Sequence, residues 1–134
     1  MKLCVSAILA VMLLAPVVPA LAHHSFNTFW YMDRTVEITG TVKSLKIVNP
    51  HGELQIEVAE PNGQKSVWII TSRGSASAAR KAGWTNDTLP VGTKVTVEGN
   101  PSRKEGAHAL AAGKVTLPDG KVMWLGGGGG VPEV

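Results

Sequence analysis

From residue 36 to residue 58, apolar and polar positions alternate, with a break at Asn49-Pro50-His51-Gly52. Val36, Ile38 and Val42 keep a period of two, and the phase then shifts to Leu45 and Ile47 beside Gly40 and Ser44. A period of two marks a strand with one buried face. A phase shift next to glycine predicts a bulge or bend, the device by which a long strand serves both halves of a small closed barrel. After the Asn-Pro-His-Gly turn a second strand over residues 53–60 points Leu54, Ile56 and Val58 inward, and Gln55 and Glu57 outward.

Pro61-Asn62-Gly63-Gln64 has the chemistry of a turn. Residues 65–71 form a third strand, apolar on both faces from Val67 to Ile70, so its outer side calls for a cover. The alanine-rich stretch 75–82 is read as that cover and as the one convincing helix after the N-terminal segment, with Ser72 or Ser75 to cap its start and Gly83 to end it. Beyond the Pro90-Val91-Gly92 turn, residues 93–99 are a fourth strand with Val95 and Val97 inward. A polar loop over 100–106 leads to a fifth strand over 107–117, and the Pro118-Asp119-Gly120 turn to a short one over 121–125. Three strands, a helix and two further strands is the connectivity of an OB-fold. The expected fold is therefore all-β, a five-stranded OB-fold-like Greek-key barrel with one short helix between strands 3 and 4. A plain β-sandwich is the alternative.

The chain of 134 residues suits one domain. Residues 1–22 have the anatomy of a cleaved export signal: Lys2, an apolar run from Val5 to Val18, then Ala20-Leu21-Ala22. The alternative, an uncleaved anchor, is disfavoured by the short apolar run. The expected organisation is a signal peptide over 1–22, a barrel domain over 23–125 and a disordered glycine-rich tail over 126–134. Cleavage would remove Cys4, so the mature chain would enter the periplasm, or be secreted, with no disulfide and no membrane span. The formal charge of +3 falls to +2 without Lys2, and the basic residues are scattered without interleaved aromatics, which argues against nucleic acid as a partner. The aromatic stretch with Phe26, Phe29, Trp30 and Tyr31 is expected to pack across the barrel as an arm.

The chain resembles small, exported, uncharacterised bacterial proteins whose mature start reads A-H-H-S-F. The shared pieces are residues 22–26, Gly40-Thr41-Val42, Asn49-Pro50-His51, Trp68, Gly83-Trp84 and the P-x-G-x-x-V-x-V-x-G strand of residues 90–99. The resemblance implies a periplasmic OB-like domain of unknown role. The family's usual Phe-Asp pair is looser here, as Phe29-Trp30-Tyr31-Met32-Asp33, and His108 matches no family position. By architecture alone the chain is also similar to exported bacterial OB-fold stress proteins.

The histidines are His23, His24, His51 and His108. Cleavage after Ala22 would give His23 a free α-amino group beside its imidazole, a chelating pair for one metal ion. Cu(II) is the divalent ion most favoured by nitrogen donors. In an OB barrel the loop joining strands 1 and 2 and the loop joining strands 4 and 5 flank one binding face. His51 and His108 are therefore expected to converge there, with the arm bringing His23 or His24. A terminal histidine joined by a second resembles the histidine brace of copper monooxygenases and the His-first ends of some periplasmic copper carriers.

Each feature also has a plainer reading. His23-His24 reads equally as a solvated end, His51 as a turn residue bonded to nearby backbone, His108 as a surface residue, and Trp68 and Trp84 as core. Glu53, Glu57 and Glu60 read as a solvated strand face, and no nucleophile, phosphate-loop, zinc-spacing or dinucleotide motif is present. The expectation is a periplasmic binding module, not an enzyme, taking Cu(II) through His23 and His51 with His24 or His108. The alternative is a metal-free module for a peptide, small solute or periplasmic protein partner, and copper-dependent oxidation is a third reading.

Overall fold

The computed structural model describes residues 26–126. The proposed export signal, His23, His24 and all of the glycine-rich tail after Gly126 lie outside the described residues. The elements in order are α1 (Phe26–Phe29), β1 (Val36–Ile47), β2 (His51–Ala59), β3 (Lys65–Ser75), α2 (Ala76–Lys81), β4 (Lys94–Pro101), β5 (Ala109–Thr116) and β6 (Val122–Trp124). The sheet order is β3-β2-β1-β4-β5-β6, and a parallel β3–β5 pairing closes the first five strands into a barrel. The OB-like barrel expected from the alternation is the fold.

Closure depends on β1. Its first half, Val36 to Thr41, pairs with β4, and its second half, Thr41 to Ile47, pairs with β2. The register slips between Val42 and Ser44, so Lys43 is the extra residue of a bulge. Gly40 sits at the changeover because a Cβ there would come 2.6 Å from the Glu57 carbonyl oxygen. The inward residues of all five strands, among them Leu54, Ile56, Ile70, Val97 and Leu110, form one buried core. Burying each such side chain contributes roughly 1.5–3 kcal/mol.

Helix α2 is where the sequence places it, capped by the Ser75 hydroxyl accepting from the Ala78 N–H at 3.1 Å. Its role differs from the expected one. Ala76 and Ala79 are fully buried in the barrel core, whereas Val67 and Ile69 on the outer face of β3 stay exposed. A six-residue helix entering directly from the end of β3 reaches the open end of the barrel and not the flank of the strand it follows. The helix also pins the β1–β2 turn, as Arg80 Nη2 donates to the Ile47 carbonyl at 2.7 Å and the Ala76 N–H to that of Pro50 at 3.3 Å. Trp84, fully buried as expected, donates from Nε1 to the Trp124 carbonyl at 2.9 Å and so ties the segment after α2 to β6.

Candidate functional site

Two connections meet at one mouth of the barrel: the β1–β2 turn with Pro50 and His51, and the start of the β4–β5 loop with Ser102, Arg103 and Lys104. Between them lies a cleft of about 730 Å³, whose third wall is the arm, with Phe26, Thr28, Phe29 and Trp30. Thr71 of β3 completes the lining. The pairing of these two loops is the arrangement expected of an OB barrel.

The arm is one turn of helix, a bridge residue at Trp30 and a tight turn over Tyr31 to Arg34, and it is anchored through Arg103. The Arg103 backbone N–H donates to the Phe29 carbonyl at 2.9 Å, and its Nε to the carbonyls of Asn27 at 2.7 Å and Trp30 at 3.1 Å. Its guanidinium carbon lies 4.5 Å from the centre of the Tyr31 ring, and that of Arg34 lies 4.2 Å from it. Both contacts place a cation against the electron-rich face of a ring. Trp30 bridges to Ser102, and the Tyr31 N–H donates to the Pro101 carbonyl at 2.9 Å. The aromatic arm thus packs on the barrel, and Phe29 remains largely exposed beside the cleft.

His51 is half-buried at the first position of β2. Its Nδ1 lies 3.0 Å from the Gly74 carbonyl oxygen. A carbonyl only accepts, so Nδ1 carries the hydrogen and the neutral ring keeps its lone pair on Nε2. The Phe26 ring meets the imidazole edge to face, with centroids 6.1 Å apart. The Gly74 carbonyl is itself fixed from the interior. Ser72, fully buried, donates from Oγ to it at 2.7 Å and accepts from the Gly52 N–H at 2.9 Å. This link exists because the β2–β3 register breaks between His51 and Glu53, which leaves Gly52 without a ladder partner on β3. Gly74 has to be glycine, since a Cβ would fall 1.8 Å from the carbonyl oxygen of Gly126.

His108 does not join His51, which corrects the expected convergence of the two imidazoles. His51 pairs with Ser75, while the His108 carbonyl accepts from the Ile69 N–H, six positions back along β3. That separation amounts to roughly 15–20 Å of strand. Its imidazole stacks on the Trp68 indole instead, at 5.1 Å and 7° between planes, beside a separate polar cleft with Glu60, Lys65 and Ser66. There the Ser66 hydroxyl, and then the Trp68 indole N–H at 3.3 Å, donate to Oε1 of Glu60 and hold its carboxyl below the usual carboxylate range. Glu57 is lowered chiefly by a hydrogen bond from Lys65 Nζ at 2.9 Å, and Lys65 is raised by the same contact. Glu57 and Glu60 thus have local structural partners.

Among the described residues, no three His, Cys, Asp or Glu side chains converge as a metal site. His23 and His24 lie outside the described residues, and of the two described histidines His51 lines the larger cleft and His108 does not. Arg103 and Lys104, read from sequence as part of an ordinary polar loop, are cleft residues; a basic pair in a loop opposite the Asn-Pro-His turn was the available signal. Ser72 and Gly74 carried no signal beyond a candidate helix cap and a glycine near a strand end. No helix among the described residues is long and apolar enough to cross a membrane. No curated protein matches the chain. Residues 10–111 match a family of unknown function, DUF6152, and the chain belongs to that family.

Proposed function

We propose that the protein is an exported periplasmic binding module, not an enzyme, and that its ligand site is the cleft between the arm, the β1–β2 turn and the β4–β5 loop. Export is supported by the signal-like pattern of residues 1–22. The observation that carries the site is the cleft itself: about 730 Å³, walled by Phe26, Phe29, Trp30 and Pro50 with a few polar groups at its edge. That size and lining suit a small organic ligand or a short peptide segment. The test uses Nile red, an uncharged dye whose emission shifts in apolar surroundings. A Phe26→Ala/Phe29→Ala variant should lose at least roughly tenfold in affinity, since it removes two aromatic contact surfaces. A Val67→Ala/Ile69→Ala variant on the outer face of β3 should bind as the wild type does. The opposite pattern would move the site to the outer face.

A second reading, Cu(II) held by His51 with His23 and help from His24, is favoured by one observation. The Nδ1 hydrogen bond to Gly74 leaves Nε2 as the free lone pair, the state in which a histidine ligates metal. His23 precedes Phe26 by three residues, a reach of at most roughly 10 Å, and the Phe26 ring is 6.1 Å from the His51 ring. His108 has no part in this version. Equilibrium dialysis of the naturally processed protein should show Cu(II) affinity falling about tenfold, or about 1.4 kcal/mol, in His51→Ala. It should fall likewise when one alanine precedes His23, and unchanged affinity in both would remove copper from the account.

A further inference from the structure

The charges around the cleft are one-sided. Arg103 and Lys104 both line it, and among the described residues no carboxylate does. The two cations are not equivalent. Arg103 is committed to the arm: its Nε donates to Asn27 and Trp30, and its guanidinium lies over Tyr31. Lys104 is exposed, and its ammonium makes no hydrogen bond or ion pair among the described residues. Its backbone N–H donates to the Ser102 hydroxyl at 3.1 Å, which leaves that hydroxyl its own hydrogen to donate.

The rest of the lining is the arm aromatics, tied to this loop through Arg103, and His51, whose free ring nitrogen in the neutral form is a lone pair that repels an anion. The cleft thus combines an apolar lining with a cationic, hydrogen-bond-donating edge at Ser102 and Lys104.

We infer that the cleft takes an amphipathic organic carboxylate, its aromatic or acyl body against Phe26, Phe29 and Trp30 and its carboxylate at Lys104 and the Ser102 hydroxyl. This rests on the cleft being the ligand site, and adds the ligand's chemical class and orientation. Charge complementarity carries the choice: a cationic partner would meet two like charges, and a neutral one would leave the lysine unused. Arg103 acts indirectly, as the residue that positions the apolar wall.

The test is calorimetric titration of the processed full chain with 2-naphthoate, its uncharged isostere 2-naphthamide, and acetate. The acid should bind about fivefold tighter than the amide, the gain expected from one exposed ion pair, and acetate should not bind measurably. Lys104→Gln should bring the acid down to the affinity of the amide, whereas Lys121→Gln, on a strand-flanking turn outside the cleft, should leave the affinities for acid and amide, and for Nile red, unchanged. Equal affinity for acid and amide in the wild type would overturn the carboxylate assignment while leaving the cleft reading intact. Binding of neither probe, together with no Nile red binding, would overturn both. A preference for the acid that survives Lys104→Gln would overturn the placement of the charge.

Discussion

Ser72→Ala removes one oxygen atom from the interior and should affect both stability and the site. The hydroxyl is fully buried and has two partners, the Gly52 N–H at 2.9 Å and the Gly74 carbonyl at 2.7 Å. After the change the Gly74 carbonyl keeps His51 Nδ1, so its loss is small. The Gly52 N–H has no such substitute, because the register break removes its partner on β3. A buried donor left unpaired costs about 1–3 kcal/mol. For a domain of this size each kcal/mol lowers Tm by roughly 4–8 °C. Urea denaturation should show the midpoint falling with an unchanged slope, since the surface exposed on unfolding is the same. Imidazole nitrogen NMR should show His51 as the Nδ1–H tautomer in the wild type and a mixture in Ser72→Ala, as the carbonyl that fixes the ring loses its own support. Ser75→Ala is the control: it removes the cap of α2, costs about 1 kcal/mol, and should leave the His51 spectrum unchanged. A loss below about 0.5 kcal/mol in Ser72→Ala, half the low end of the unpaired-donor cost, would refute the reasoning.

Gly40→Ala should cost about 1–3 kcal/mol in chemical denaturation, because the new methyl would meet the Glu57 carbonyl oxygen at 2.6 Å where β1 changes partner. Trp84→Ala should cost about 3–5 kcal/mol by the same assay, through the loss of a fully buried ring. Arg103→Met should speed chymotryptic cleavage within the arm roughly tenfold, since hydrogen bonds from a charged group hold it down. The Glu60 carboxyl is depressed by the Ser66 and Trp68 donors, so its contribution to stability is present above the ordinary carboxylate range and is lost as pH falls through its lowered value. A carbon NMR titration should find its midpoint rising in Ser66→Ala, and an unmoved midpoint would discount the hydrogen bond.

The barrel was legible because its cause is local. Alternation through Val36, Ile38 and Val42, then the shifted phase of Leu45 and Ile47, records a strand bending at Gly40 and bulging at Lys43. The cap at Ser75 and the burial of Trp84 follow from residue chemistry in the same way. What α2 covers was not legible, because exposed Val67 and Ile69 look in sequence like residues awaiting a partner. At the site, the loops that meet could be inferred from topology, but side-chain direction could not. His108 ends the expected loop yet turns to Trp68, because that residue is where β5 comes alongside β3. Arg103 reaches carbonyls more than seventy positions earlier in the chain, and no local pattern encodes such a contact.

The most direct test of the central claim is a nitrogen–proton correlation NMR titration of the processed protein with 2-naphthoate. The amides that move most should belong to Phe26, Thr28, Phe29, Trp30, His51, Thr71 and Ser102 to Lys104, the groups that wall the cleft. Largest shifts around Glu60, Lys65 and Ser66, or along the outer face of β3 at Val67 and Ile69, would contradict it.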